Sequence, residues 1–230
     1  MAQAATLDAA QLQRVLDYLK TRRHYQRNRV MLLLTHWSML RVGEVAALRY
    51  CDVMDSNGQI LSETVLAATQ TKGDKGRRIW LNERMRAELA AYVAAHKPKH
   101  KAQRLFYTQR SEGFTANTLT HIINSFYQKA GIANASSHSG RRSGLTTLAD
   151  KGVSVRVLMA LAGHSQIATT QRTLTYDRQL LGLRWSWFSG LFKSLFNKPL
   201  NHTFAITISL HCIDQAQIKQ ILAHNGAVIA

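Results

Sequence analysis

The apolar positions of this chain fall into two spacings, and most of them read as helix. Leu12, Val15, Leu16 and Leu19 recur every three or four residues, and Asp8 stands where a side chain caps a first turn. From Val30 to Leu48 the chain is apolar with helical period, interrupted near Ser38. Residues 59–68 (QILSETVLAA) and 77–81 (RRIWL) read instead as strands, with TKGDKG turning between them. Residues 83–95 read as an alanine-rich helix and Ala116–Lys129 as another, whose C-terminal end Gly131 suits. Three shorter helices follow: about Arg141 to Lys151, Ser154 to Ala162 with Ser154 as cap and Gly163 as stop, and one from about Ile167. The pattern predicts a mainly α fold with a small antiparallel β-sheet (α+β).

After Asp177 the pattern changes. Trp185, Trp187, Phe188, Leu191 and Phe192 begin an apolar stripe near helical spacing that runs on to Phe196. An ordinary core helix, a helix docking on a neighbouring subunit and a membrane-surface helix all fit such a stripe. Residues 203–212 alternate like a strand, and Asp214 to His224 reads as a helix ended by Gly226. The expected organisation is a main domain over 1–177, an amphipathic helical extension over 178–200 and a short βα appendage over 201–230 with no function of its own in view.

Charge narrows the partner. Lys and Arg total 30 against 13 Asp and Glu, a formal charge of +17, which suits a polyanion: DNA, RNA or an anionic membrane. With 46% hydrophobic residues the chain is globular rather than disordered. No basic-then-apolar leader opens it, and no window approaches the roughly 18 apolar residues of a membrane span. Cys51 and Cys212 lie far apart, which fits a reduced, cytoplasmic protein. His96 and His100 flank Pro98 with no carboxylate or thiol near, a solvated basic loop rather than a metal site. A cluster of Arg22, Arg23, Arg27 and Arg29 around Tyr25 is suited to phosphate contact.

The stretch from Ser137 to Asp177 concentrates chemistry: His138, Arg141, Arg142, His164 and Tyr176 lie within it. Upstream, Arg41 and Glu44 lie three apart in apolar surroundings, where an unpartnered guanidinium is costly. Lys72 and Lys75 project from the turn between the strands. Together Arg41, Lys72, His138, Arg141 and His164 suit phosphoryl transfer. Two guanidiniums hold non-bridging oxygens, a lysine protonates the leaving oxygen, imidazoles move protons, and a tyrosine hydroxyl can store the bond covalently. Paired carboxylates at metal-ligand spacing are missing, so a two-metal nuclease is disfavoured, and no cofactor is expected.

MLRVGEVAALRYCDV at 39–53, TKGDKGRRIWL at 71–81, HSGRR at 138–142 and LAGHSQIATTQR at 161–172 resemble, in that order, the motifs of the tyrosine recombinase (phage integrase) family. The resemblance covers roughly residues 6–177 and implies that family's catalytic-domain fold. It implies catalytic roles for Arg41, Lys72, His138, Arg141 and His164, with Glu44 in support. The implied reaction cleaves one DNA strand by tyrosine attack, forms a 3′-phosphotyrosyl bond and rejoins DNA without ATP or metal. It also implies double-stranded DNA as partner, with Arg22, Arg23, Arg27, Lys75, Arg77 and Arg142 as candidate contacts. A homo-oligomer, a tetramer of protomers on two DNA sites, is implied too, acting near the nucleoid or from a phage or mobile element.

The chain departs from the family in three places. Met39 stands where the family usually has glycine, a matter of local turn geometry. The catalytic-type helix starts at once, as in short forms lacking the N-terminal core-binding domain. The third departure concerns the nucleophile, which normally follows TTQR directly, where this chain has Thr173; the nearest tyrosine is Tyr176. If the last helix continues, Tyr176 lies about 60° round and roughly 4.5 Å along from position 173. Two functions therefore stand: a recombinase with a shifted nucleophile, or a DNA-binding regulator that keeps the fold without cleaving. A basic RNA-binding protein is a distant third.

Overall fold

The computed structural model describes residues 4–71, 75–108 and 111–174. Lys72, Tyr176, the helical extension at 178–200 and the appendage at 201–230 lie outside the described residues. Helix α1 (Ala9–Lys20) begins as its sequence predicts. The Asp8 carboxylate accepts from Gln11 N at 2.7 Å, and the Gln11 side chain accepts from Asp8 N at 3.1 Å.

The apolar stretch after it divides into α2 (Tyr25–Trp37) and α3 (Val42–Ala47), followed by the short α4 (Tyr50–Val53). Helix α2 starts five residues before Val30, and Arg29 within it is anchored rather than free. Its Nε and Nη2 donate to the two oxygens of Glu88, at 2.8 and 2.5 Å. Val30 to Leu34 are all buried, so α2 is the central helix of the main core. The helix breaks at Met39, which adopts a left-handed φ of +53°. That conformation is costly for a side chain bearing Cβ, which explains the glycine expected there. It also turns the Met39 carbonyl towards the later helix α7.

Strands β1 (Glu63–Leu66) and β2 (Arg77–Trp80) pair antiparallel, with Leu66 opposite Arg77 and Glu63 opposite Trp80. β1 is shorter than the predicted run, because Ala68–Gln70 tightens into a 3-10 turn. Thr71 and Lys75 are joined by a 2.6 Å bond from Thr71 Oγ1 to the Lys75 carbonyl. Helices α5 (Glu83–Ala95) and α6 (Ala116–Lys129) complete the main core, Gly131 closing α6 at φ +71°.

Helices α7 (Ser139–Asp150), α8 (Val155–Ala162) and α9 (Ile167–Thr173) follow. Ser154 holds the N-cap position of α8, although its side chain makes no capping bond. A smaller core of Met39, Leu145, Leu158, Ala162 and Leu174 joins these helices to the α2–α3 break. The contact of α7 with α2 is unusually close. A Cβ on Gly140 would overlap Thr35 Oγ1 and the His36 ring, and one on Gly144 would overlap the His36 carbonyl. Two glycines one turn apart thus let α7 lie directly on α2 and carry Arg141 into the interior.

Candidate active site

Arg141 is only 6% exposed, and backbone carbonyls take up its guanidinium. Nη1 donates to the Met39 carbonyl at 2.5 Å, and Nη2 donates to the Ala162 carbonyl. Nη2 also stands 3.0 Å from His164 Nε2. Burial first, then the charges of Arg41 and Arg77, press its pKa down to about 9, which leaves it cationic at neutral pH.

Glu44 is the hub of the upstream half. It is 2% exposed, accepts from Arg41 N at 2.8 Å, and accepts from Arg41 Nη1 at 2.8 Å. Arg77 Nη1 donates to both its oxygens, at 2.9 and 2.7 Å. Burial pushes its carboxyl up, but Arg77 and then Arg41 outweigh that and hold the pKa below the usual range. Arg41 precedes the first turn of α3, and its Nη2 donates to the Gly163 carbonyl at 3.2 Å.

The turn from α8 to α9 therefore receives both arginines, at Ala162 and Gly163, and presents His164 next to them. Gly163 holds a left-handed φ of +58°. A guanidinium can only donate, so His164 Nε2 accepts from Arg141 and the ring proton sits on Nδ1, 3.0 Å from Thr170 Oγ1. Burial first, then Arg141, Arg41 and Arg77, lowers the His164 pKa to about 4, so the ring is neutral at pH 7. Three guanidiniums face one carboxylate here, leaving an excess of two positive charges around a neutral histidine. Such a place suits a doubly charged, five-coordinate phosphorus.

The other sequence-predicted residues divide by exposure. His138 is exposed immediately before α7, its carbonyl accepting from Arg142 N at 3.0 Å. Arg22, Arg23 and Lys75 are exposed. Arg27 is half-buried, donating from Nη1 to the Tyr107 carbonyl at 3.1 Å with its guanidinium 5.1 Å from the Phe114 ring centre. Two of the residues expected to contact DNA are buried. Arg77 is buried, spent on Glu44 and on the Leu161 carbonyl, which Nη2 reaches at 2.5 Å. Arg142 is also buried, its Nη1 donating to the Ala4 carbonyl at 2.5 Å. Strand alternation carried the signal for Arg77, because it shares the inward face with Ile79.

The last turn also differs from expectation. Helix α9 stops at Thr173, and Leu174 is extended at φ −72° and ψ 143° with its side chain buried in the smaller core. The 60° displacement is conditional on a helix continuing past Thr173, and Leu174 does not continue it; Tyr176 lies outside the described residues. Thr173 Oγ1 donates to the Thr169 carbonyl at 2.8 Å, an internal bond of the helix.

The fold and this arrangement define a helical domain with a two-stranded sheet and an arginine-lined anion site next to a neutral histidine. Residues 5–178 match the Phage integrase family, and the chain belongs to it. Tyrosine recombinase XerD of Ralstonia nicotianae is 32% identical over 154 residues, 63% of this chain and 47% of that protein. Tyrosine recombinase XerA of Pyrococcus horikoshii is 27% identical over 148 residues, 63% of this chain and 49% of the relative. The chain spans about half the length of these curated relatives. Among solved structures, XerA recombinase superposes with a TM-score of 0.66 at 22% identity, over 82% of this chain and 66% of that one. The Tn1549 transposon integrase in complex with transposon right end DNA superposes at 0.60 and 19% identity, over 85% and 67%. These likenesses show the tyrosine recombinase catalytic-domain fold.

Proposed function

We propose that this chain binds double-stranded DNA and carries out site-specific recombination by strand cleavage and rejoining. The convergence of Arg41, Arg141 and His164 on the turn at 162–164 carries this reading. Arg41 and Arg141 hold the two non-bridging oxygens of the scissile phosphate. The Tyr176 oxygen attacks phosphorus, its proton passing to His138, while the bond from phosphorus to the 5′ oxygen breaks and Lys72 protonates that oxygen. His164, neutral and fixed by Thr170, accepts from Arg141 and holds that guanidinium against the non-bridging oxygens as charge builds there. The reverse attack by a 5′-hydroxyl of another strand rejoins the DNA. Arg22, Arg23, Arg27 and Lys75 meet the backbone phosphates, and protomers assemble as a tetramer on two sites in the cytoplasm. DNA-bound relatives such as XerH with its palindromic difH substrate, at TM-score 0.63 and 20% identity, support DNA as the partner.

A second reading is favoured by the internal bond of Thr173 at the nucleophile's usual place. On this reading the chain is a DNA-binding regulator that keeps the fold without cleaving. A threonine hydroxyl is far less acidic than a phenol and is a poor substitute. A nicked suicide substrate separates the two. Under the first reading the unaltered chain traps a covalent DNA adduct that Tyr176→Phe abolishes. A trap formed only by Thr173→Tyr identifies a binder built on a recombinase scaffold.

A further inference from the structure

Arg77 is a buried cation that the proposed reaction does not use. It rises from β2, on the strand that follows the Lys72 turn, and reaches two other elements at once. Nη1 bridges both oxygens of Glu44 on α3, and Nη2 takes the Leu161 carbonyl at the end of α8. Its aliphatic stem fills the space under Gly163, where an added Cβ would overlap Cδ and Nε. Both partners lead directly to the anion site. Glu44 holds the backbone and guanidinium of Arg41, and the carbonyl of Leu161 lies next to those of Ala162 and Gly163, which receive Arg141 and Arg41.

We infer that Arg77 is a positioning residue: it ties the strand behind the Lys72 turn to α3 and to the 161–164 turn, and so sets Arg41 and His164 in register. Its burial excludes a DNA contact, and its geometry exceeds what a simple ion pair needs. A planar fork makes three bonds to two elements, which a lysine ammonium on a flexible stem cannot reproduce. The consequence for catalysis rests on the proposed strand-cleavage reading; the positioning of His164 does not.

The test has two arms on the full-length chain. The first measures adduct formation on a nicked substrate, in whichever background traps it, unaltered or Thr173→Tyr. Arg77→Met is expected to slow cleavage about 100-fold, the scale of a misplaced catalytic group, with DNA affinity within about threefold. Combined with Arg41→Ala it should cost no more than Arg41→Ala alone, because it acts through that residue. Independent, multiplying losses overturn the proposal. The second arm reads the His164 ring by nitrogen NMR without any reaction. Arg77→Met should replace the single Nδ1–H tautomer with averaged signals, and an unchanged ring spectrum overturns the proposal. Where Arg77→Met does not fold, Arg77→Lys serves both arms and is expected to fail both; a Lys variant with full rate and a native ring spectrum is equally fatal. Absence of any adduct in either background sinks the strand-cleavage reading alone, while the ring spectrum still decides Arg77.

Discussion

At the scale of single residues, the site is governed by the cost of burying charge. Glu44 lies between Arg41 and Arg77 with almost no solvent, so removing it leaves a buried guanidinium unpaired. Glu44→Ala should destabilise the protein by roughly 3–5 kcal/mol, read from denaturant unfolding; a loss below about 1 kcal/mol contradicts the hub. Arg141 serves differently, held by neutral carbonyls with its charge available. Arg141→Ala should abolish cleavage while DNA affinity stays within about tenfold, because other basic residues carry most of the binding. Equal loss of both would count against an arginine aimed at phosphate. His36 gives a pH signature. It is enclosed with Nε2 3.0 Å from the Tyr127 hydroxyl, and burial lowers its pKa to about 4 from an ordinary 6.5. Between those values the unfolded chain binds the proton and the folded one does not, so acid favours unfolding. The His36 contribution is complete above about pH 6.5 and falls by roughly 3 kcal/mol as pH approaches about 4, and His164 adds a loss of the same sign over that window. An unfolding midpoint that does not move between neutral pH and about pH 5 contradicts this.

At the scale of elements, the contact of α7 on α2 decides where Arg141 can be. Gly140 and Gly144 are required by the proximity of Thr35 and His36, not by backbone conformation. Gly144→Ala meets a main-chain carbonyl, which yields less readily than a side chain. The expected cost is at least the roughly 1–3 kcal/mol of an overpacked core. It should be accompanied by loss of the fixed His164 ring signals, since α7 carries Arg141; a variant with native stability refutes the close crossing. The end of α9 is the second such element. Thr173 closes its helix on Thr169, and Leu174 leaves it extended to fill the smaller core. Whatever chemistry follows Thr173 starts from a chain that has already turned out of the helix.

At the scale of the whole molecule, the excess of basic residues is divided between surface and structure. Arg22, Arg23 and Lys75 are exposed, whereas Arg29, Arg77 and Arg142 are committed to Glu88, to Glu44 and to the Ala4 carbonyl. Replacing Arg22 or Lys75 with alanine should weaken DNA binding evenly across sequences and reduce the salt slope by about 0.9 each. Arg142→Ala should leave the slope unchanged and lower stability instead. A slope that changes equally for buried and exposed arginines would refute the division. Among the described residues no helix is long and apolar enough to cross a membrane.

Much of this was legible in the sequence because it depends on neighbours in the chain. The 3.6-residue period located α1, capping chemistry placed Asp8, and separated motifs named Arg41, Arg141 and His164, which the fold brings to one turn. The same local rules could not tell which arginines face solvent, since a guanidinium reads alike whether it meets water, phosphate or Glu44. Arg77 and Arg142 were therefore read as surface, and only packing showed their carbonyl and carboxylate partners. Nor could periodicity show that α9 ends at Thr173, because Leu174 stops the helix by burying itself against Met39, Leu145, Leu158 and Ala162, residues distant in sequence. Sequence alone determined most of the elements and the excess charge, and it named the residues proposed for the candidate site. Tertiary structure decided burial, the neutral state of His164 and the division of arginines between surface and scaffold, because those depend on desolvation and on contacts between residues far apart in the chain.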